Sequence, residues 1–576
     1  MPAKIAKKPE LITVSFLTLL AFALRVYGLG APSLWYDELL ELDVAQSPFW
    51  EIGPQLVRHA AMPLDYYLLY GWLLGGRQEA WVRFPALIFG VLAIPLTYKL
   101  AKSLFNKNVG SLAALFLAWS SLAVYYSQDV RPYALLVFWT LLSFWGLWRA
   151  YQTRRDRYWG VVIIGLTGAS LSHYFALFLL LPIGLFVGWQ QLFHLKDRPF
   201  WQYTIYFIIC LMVLVIIFTF NGRLRDLYNV GSRFSAVVVQ PETLTVPAAE
   251  KPNRGAGPPR HFGFVWDTML IPFSSVEPLS LLAYLALLLI SLLSLWPSRR
   301  YGASLLVLSW LILPIVLIYL FLLQRGTFFA VRYILYTLPA YLILIAYGIE
   351  SVIRALNSWR QRLIPGSNSR STPSLLAGSL LVAIITIFIF GEVKELLVLY
   401  RADSREDWRA VGQLLQNNAR PDDAVIAVRA EPAINWYYPP ARAPFGIYNT
   451  SQPIWEAMRR HPRRWFVLSS YSYRVDEGLR NWLKANGAVT IAIDRRVVVH
   501  LQQEGTSAGE LLAQVSTFAL PQKALTYATL ADQLKAQGDL ETSRTFYERA
   551  IELAETPSQK VDYESRLATL AMSLQE

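Results

Sequence analysis

The sequence predicts a polytopic α-helical membrane protein that ends in an extracytoplasmic α/β domain and a helical tail. Three observations predict it. The 576 residues are 55% hydrophobic and only 16% charged, whereas a soluble chain is roughly a quarter charged. Mean hydropathy is +0.35, and the apolar residues gather in runs long enough to cross a bilayer. The loops between those runs alternate in sign, basic on one side and acidic on the other.

By hydropathy the chain holds about 11 transmembrane helices, each needing ~20 apolar residues. They fall near 11–29, 82–103, 109–127, 132–149, 158–172, 174–192, 201–221, 276–296, 303–323, 332–352 and 375–391. Lys4, Lys7 and Lys8 precede the first, which puts the N-terminus in the cytoplasm. Leu11–Leu29 is too long for a signal-peptide core and has no small-residue cleavage site after it, so it reads as an uncleaved span. Inner loops carry Lys99, Lys102, Lys107, Arg149, Arg154, Arg155, Arg299, Arg300, Arg360 and Arg362. Outer loops carry Asp37, Glu38, Glu41, Asp43, Asp65, Glu79, Asp129, Asp267 and Glu277. The net charge of +13 is thus a topology signal, and nucleic acid is not an expected partner. The single cysteine, Cys210, rules out an internal disulfide and a cysteine metal cage.

The membrane domain is expected over 1–391, with a first outer loop at 30–81 and another at 222–275. Within the first, Pro63 to Leu74 is rich in Tyr and Trp and too short to cross, so it reads as an interfacial helix. The 222–275 loop is polar and broken by Pro and Gly, the composition of a lid. Over 392–515 the composition is that of a soluble domain. Asp423–Val428, Trp465–Leu468 and Val489–Ile493 read as strands, with helices over Asp407–Asn417 and Glu477–Ala485. The tail, 516–576, resembles one tetratricopeptide unit around Gly538-Asp539, which must pack on a neighbouring helix or on a protein partner.

Five clusters could carry chemistry, all expected on the outer side. Asp37-Glu38 follows the first span directly, at the lipid–water boundary. It could be a solvated pair or a helix start, but boundary acids are often functional, and a carboxylate there could accept a proton from an attacking hydroxyl. In Tyr125-Tyr126-Ser127-Gln128-Asp129-Val130-Arg131-Pro132-Tyr133, Asp129 and Arg131 could form a loop ion pair. An arginine beside an acid and several tyrosines also suits a phosphate and a sugar. His173 precedes Tyr174-Phe175, and Arg332 precedes Tyr333. An arginine at an outer helix end breaks the inner-side bias and calls for a local anion; Arg83 poses the same question. His59 and Asp65 flank Met62-Pro63 and are candidates for an acceptor groove.

The ordered set resembles the GT-C glycosyltransferases, in the bacterial branch related to protein O-mannosyltransferases and aminoarabinose lipid A transferases. The resemblance covers about residues 10 to 400. It comprises the Asp-Glu pair, the Pro-Leu-x-Tyr-Tyr helix, Arg83-Phe84-Pro85-Ala86-Leu87, Gln128-Asp129-Val130-Arg131-Pro132-Tyr133, His173-Tyr174-Phe175 and Arg332-Tyr333-Ile334-Leu335-Tyr336. It implies a membrane enzyme that uses a polyprenyl-phosphate sugar and inverts the anomeric centre. Asp37 would be the general base and Glu38 would orient it or contact the donor sugar. Arg131 and Arg332 would hold the lipid phosphate, with Arg83, Asp129, Tyr133, His173, Tyr174 and Tyr333 completing the donor site. Ala60-Ala61-Met62-Pro63 stands where relatives often have paired prolines, so the acceptor, whether glycan, lipid or protein, does not carry over.

Two other classes were weighed. A transporter or flippase of lipid-linked glycans predicts mid-span charges and internal repeats, and neither stands out. A non-catalytic envelope scaffold leaves Asp37-Glu38 and the outer arginines unexplained. No cofactor is indicated with certainty: Asp37, Glu38, Asp129 and His173 could ligate a divalent metal, but no ligand spacing stands out.

Overall fold

The computed structural model describes residues 8–59, 61–193, 205–209, 211–212, 269–295, 300–325, 329–363, 375–401, 405–428, 430–439, 445–446, 460–469 and 477–573. The span expected at 201–221 lies mostly outside them, and the loop at 222–275 almost wholly so. The chain separates into two compact units. One contains Met1–Ala31, Val44–Ser235 and Arg254–Arg401; the other contains Pro32–Asp43 and Ala402–Glu576. Sequence reasoning places Pro32–Asp43 in the membrane domain, but its packing groups it with the C-terminal unit.

The first unit is helical. Among the described residues, seven helices are long and apolar enough to cross a membrane, or eight if one bent pair is a single span. The seven cover Pro9–Val26, Glu79–Leu104, Tyr133–Thr153, Tyr174–Leu192, Pro278–Leu295, Tyr301–Gln324 and Val331–Arg360. The protein is therefore an integral membrane protein. The helix Arg157–Ser172 has 16 residues, short for a span, and a further helix covers Leu375–Leu399.

The expected span at 109–127 is not continuous. It breaks into Lys107–Trp119 and Ser121–Ser127, bent by 60°. Ser120 leaves the helical region at φ −56°, ψ 120°, and its hydroxyl accepts from Ala123 N–H to start the second piece. Two acids from the helix Leu375–Leu399 hold the break: Glu392 Oε2 accepts from Ser121 N–H at 2.6 Å, and Glu395 Oε2 accepts from the Ser121 hydroxyl at 2.6 Å. The helix expected at Pro63 to Leu74 is present as the helix Pro63–Trp72 and the 3-10 turn Leu73–Gly75. A further helix covers Phe49–His59, and Ile52, Leu56 and Tyr66 share a small core with Val44.

In the second unit, β1 (Ala424–Val428), β2 (Phe445–Gly446), β3 (Arg463–Ser469), β4 (Val489–Ala492) and β5 (Val497–Gln503) form one sheet in the order β2-β1-β3-β5-β4. The β2–β1 and β1–β3 pairs are parallel, and β3–β5 and β5–β4 are antiparallel. β3 is buried along its whole length, as a strand covered on both faces should be. The exposed edge at β4 is managed by the helix Ala524–Ala536. Gln533 accepts from Thr490 N–H at 2.9 Å and donates to Thr490 O at 2.7 Å, so one side-chain amide stands in for a neighbouring strand. Ala528, Ala550 and Tyr563 join the helices Ala524–Ala536, Leu540–Glu552 and Pro557–Ser573 in one small core.

Candidate active site

The first unit gathers most of the predicted donor residues at one place. Asp129 and Arg131 lie in the short bend between the helices Ser121–Ser127 and Tyr133–Thr153, with Arg131 N–H bonded to Asp129 O at 2.8 Å. That bend is tied to the first span. Gln128 donates to the carbonyls of Arg25 and Tyr27 at 2.9 and 2.8 Å. Arg25, 1% exposed, donates to the Ser127 hydroxyl at 3.1 Å and to the carbonyls of Ala118 and Leu117 at 2.9 and 3.1 Å. Those carbonyls come from the last turn before the Ser120 break, where helical acceptors lack partners. The guanidinium satisfies them and fixes the bend.

Arg131 hydrogen-bonds the Tyr133 hydroxyl. The Tyr133 and His173 rings are 5.8 Å apart, and His173 and Tyr333 are 6.1 Å apart. Arg332 places its guanidinium 5.6 Å from the Tyr333 ring centroid, in cation–π contact. Asp129 and Arg332 both act electrostatically on Tyr126, whose ring packs edge-on against Tyr133 at 5.1 Å. Two arginines, one acid, one imidazole and three tyrosines thus converge from three chain segments.

His173 keeps partial solvent contact, but Tyr133, Phe175 and Tyr333 enclose its ring. Desolvation first, then the Arg131 and Arg332 charges, push its pKa down to about 3. It is neutral at physiological pH. Its Nδ1 accepts from Phe175 N–H at 3.2 Å, which leaves Nε2 carrying the proton. Arg131 and Arg332 supply the cluster's positive charge, and His173 adds a neutral donor. An anion suits that combination.

The other predicted residues are placed separately. Arg83 is 1% exposed and donates to Leu29 O at 2.9 Å, anchoring the exit of the first helix. Tyr174 opens the 3-10 turn Tyr174–Leu179. Asp65 is buried in the first turn of the helix Pro63–Trp72, where a carboxylate suits the helix dipole. His59 ends the helix Phe49–His59; its side chain lies outside the described residues.

Asp37 and Glu38 occupy the first turn of the helix Tyr36–Ala45. Asp37 is half-buried. Glu38 is fully buried, accepts from Trp35 N–H at 3.1 Å and pairs with Arg405 at 2.8 Å. The expectation for Glu38 was to orient Asp37 or to contact the donor sugar. Its carboxylate caps its own helix and pairs with a buried arginine. Among the described residues, no three His, Cys, Asp or Glu side chains converge as metal ligands, so the four candidates named above do not assemble into a site there.

The fold has relatives among solved structures. The chain aligns with ArnT from Cupriavidus metallidurans in the apo state at TM-score 0.53 and 12% identity, covering 86% of this chain and 98% of that one. It aligns with the Archaeoglobus fulgidus oligosaccharyltransferase in the apo form at TM-score 0.51 and 12% identity, covering 86% and 75%. This is a GT-C fold. A third GT-C structure, A. fulgidus AglB in complex with an inhibitory peptide and a dolichol-phosphate, aligns at TM-score 0.50 and 13% identity over 86% of this chain and 74% of that one. By sequence, residues 60–218 match the family model described as dolichyl-phosphate-mannose-protein mannosyltransferase. No curated protein matches the chain.

Sequence reasoning missed three buried charged residues that hold the elements carrying the candidate residues. Arg25 carried a signal, a lone cation inside an apolar run. Glu392 carried a weaker one, at the end of the last span. Arg405 carried none, because nothing local distinguishes it from the other charges that follow the last span.

Proposed function

We propose that the protein is a glycosyltransferase that moves a sugar from a polyprenyl-phosphate carrier to an acceptor hydroxyl or amine on the extracytoplasmic face, with inversion. The observation that carries this reading is the convergence of Arg131, Arg332 and neutral His173 among Tyr126, Tyr133 and Tyr333. Asp37 is the general base. The acceptor oxygen attacks the anomeric carbon and its proton passes to the Asp37 carboxylate. The bond from the anomeric carbon to the phosphate oxygen breaks on the opposite face, which inverts the centre. Polyprenyl phosphate leaves with the electron pair. Arg131 and Arg332 stabilise the charge that develops on it, and the tyrosine rings offer faces to the sugar. Glu38 acts as a positioning residue for Asp37.

The match to a mannosyltransferase family model over residues 60–218 supports a lipid-phosphate monosaccharide donor. The alternation of loop charge supports an inner-membrane protein with a cytoplasmic N-terminus and an extracytoplasmic C-terminal unit. The acceptor is a glycan, lipid or protein of the envelope, and the C-terminal helices offer a surface for a protein partner.

The test uses proteoliposomes, envelope extract as acceptor and a panel of radiolabelled undecaprenyl-phosphate monosaccharides: mannose, glucose, galactose and aminoarabinose. Transfer from at least one donor, lost in Asp37→Asn and in Arg332→Met, is the expected result. No transfer from any donor by the wild-type protein, or full transfer by a folded Asp37→Asn protein, overturns the reading.

A further inference from the structure

In the segment that carries Asp37, Ser33, Leu34, Tyr36 and Glu38 are held by groups of residues 405–409 and 437. Tyr437 Oη accepts from Leu34 N–H at 2.9 Å and bonds the Ser33 hydroxyl at 3.2 Å. Ser33 Oγ in turn accepts from Arg409 N–H at 3.1 Å. Glu406 Oε2 accepts from Tyr36 N–H at 3.2 Å while also holding Trp408 Nε1 at 2.7 Å. Glu38 Oε2 takes Arg405 at 2.8 Å, with both side chains at least nine-tenths buried.

The residues on both sides of Asp37 are therefore clamped. Tyr36 is fixed by Glu406, and Glu38 by Arg405. Consecutive residues of the C-terminal unit grip residues that flank the acid, and Asp37 itself is half-buried. Burying a guanidinium and a carboxylate together costs desolvation that a neutral pair would avoid, so such a pair is a poor device for stability alone and a good one for fixing geometry. The pair leaves Glu38 neutralised by Arg405 on the residue next to Asp37.

We propose that Arg405, with Glu406 and Tyr437, is a positioning residue for Asp37. This rests on the reading of Asp37 as general base. A base must stand within hydrogen-bond reach of the proton it takes, and a shift of about 1 Å can cost on the order of a hundredfold in rate.

The experiment compares Arg405→Lys, Arg405→Met and Tyr437→Phe in the full-length protein, with the undecaprenyl-phosphate sugar that the wild type turns over best. Folding is checked by thermal unfolding, and donor binding is followed separately with undecaprenyl phosphate. Arg405→Met and Tyr437→Phe should each lower kcat by at least about tenfold, with donor KM and undecaprenyl phosphate affinity within about twofold of wild type. Arg405→Lys, which keeps the charge beside Glu38, should recover most of kcat. A role in stability alone would lower the unfolding temperature and leave kcat in place, and that result overturns the proposal. If Arg405→Met does not fold, Tyr437→Phe decides by the same criteria, since it removes one hydroxyl and no charge. Asp37→Asn separates the two failures. If it retains transfer, the general-base reading falls; if it is silent while Arg405→Met and Tyr437→Phe keep kcat, only the positioning role falls.

Discussion

At the scale of single residues, the predicted chemistry divides between a base and a phosphate clamp. Asp37→Asn should lower kcat by about 10²–10⁴, the usual share of a general base, with little change in donor KM. Arg332→Lys should raise the donor KM, because an ammonium cannot reproduce a planar fork or its stacking on Tyr333; kinetics with a donor titration checks this. His173 makes a prediction about stability. Its folded pKa, about 3, lies below its unfolded value of about 6.5. Above that unfolded value both states are neutral and the residue contributes no pH dependence. As pH falls from there toward 3, the unfolded chain binds a proton that the folded chain refuses, so stability declines. His173→Asn should flatten the pH dependence of the unfolding temperature between pH 6.5 and 4, and an unchanged slope would refute the assignment. These residues were legible in the sequence because they stand beside tyrosines at helix ends, where a charge has no topological excuse. Glu38 was only half legible. Its position after Asp37 suggested shared chemistry, and its ion pair with a residue 367 positions later could not be seen (Arg405 less Glu38).

At the scale of elements, the broken helix pair at Ser120 orients the site. It depends on a close approach of the helix Glu79–Leu104 at Gly90. A Cβ there would meet the Ser127 hydroxyl and would stand 3.3 Å from Arg25 Nε. Gly90→Ala should therefore disturb the Arg25–Ser127 bond, cost about 1–3 kcal/mol of stability and lower kcat by displacing Asp129 and Arg131. Thermal unfolding and transfer assays read the two effects. The C-terminal helices make a parallel case. Gln533→Leu would leave both backbone groups of Thr490 without their amide partner on the sheet edge, which should cost about 1–3 kcal/mol and promote association through β4, measured by unfolding and by size-exclusion chromatography. Hydropathy marks where apolar runs begin and end. It does not register a single serine that breaks one, because the acids that stabilise the break come from a helix more than 250 residues away in sequence (Glu392 less Ser121, 271 positions).

At the scale of the whole molecule, the prediction concerns sidedness. With Cys210 replaced by serine, a cysteine at the exposed position Glu552 should react with a membrane-impermeant maleimide in intact spheroplasts. Protection until lysis would place the C-terminal unit in the cytoplasm and reverse the proposed topology. The same orientation puts Asp37, directly after the first span, on the side that carries the C-terminal unit.

The sequence by itself determined that this chain lives in a membrane, where its acidic and basic loops lie and which motifs carry charge at helix ends. Those properties are local: an apolar run and its flanks are read over about 20 residues, because the bilayer sets that length. Only the tertiary structure decided how those motifs are used. It joined Arg131, Arg332 and His173 around one group of tyrosines, bent the third span and moved Pro32–Asp43 into the C-terminal unit. Such decisions rest on pairs of buried polar groups that must find each other to offset their desolvation, and partners far apart in sequence meet only when the chain has folded.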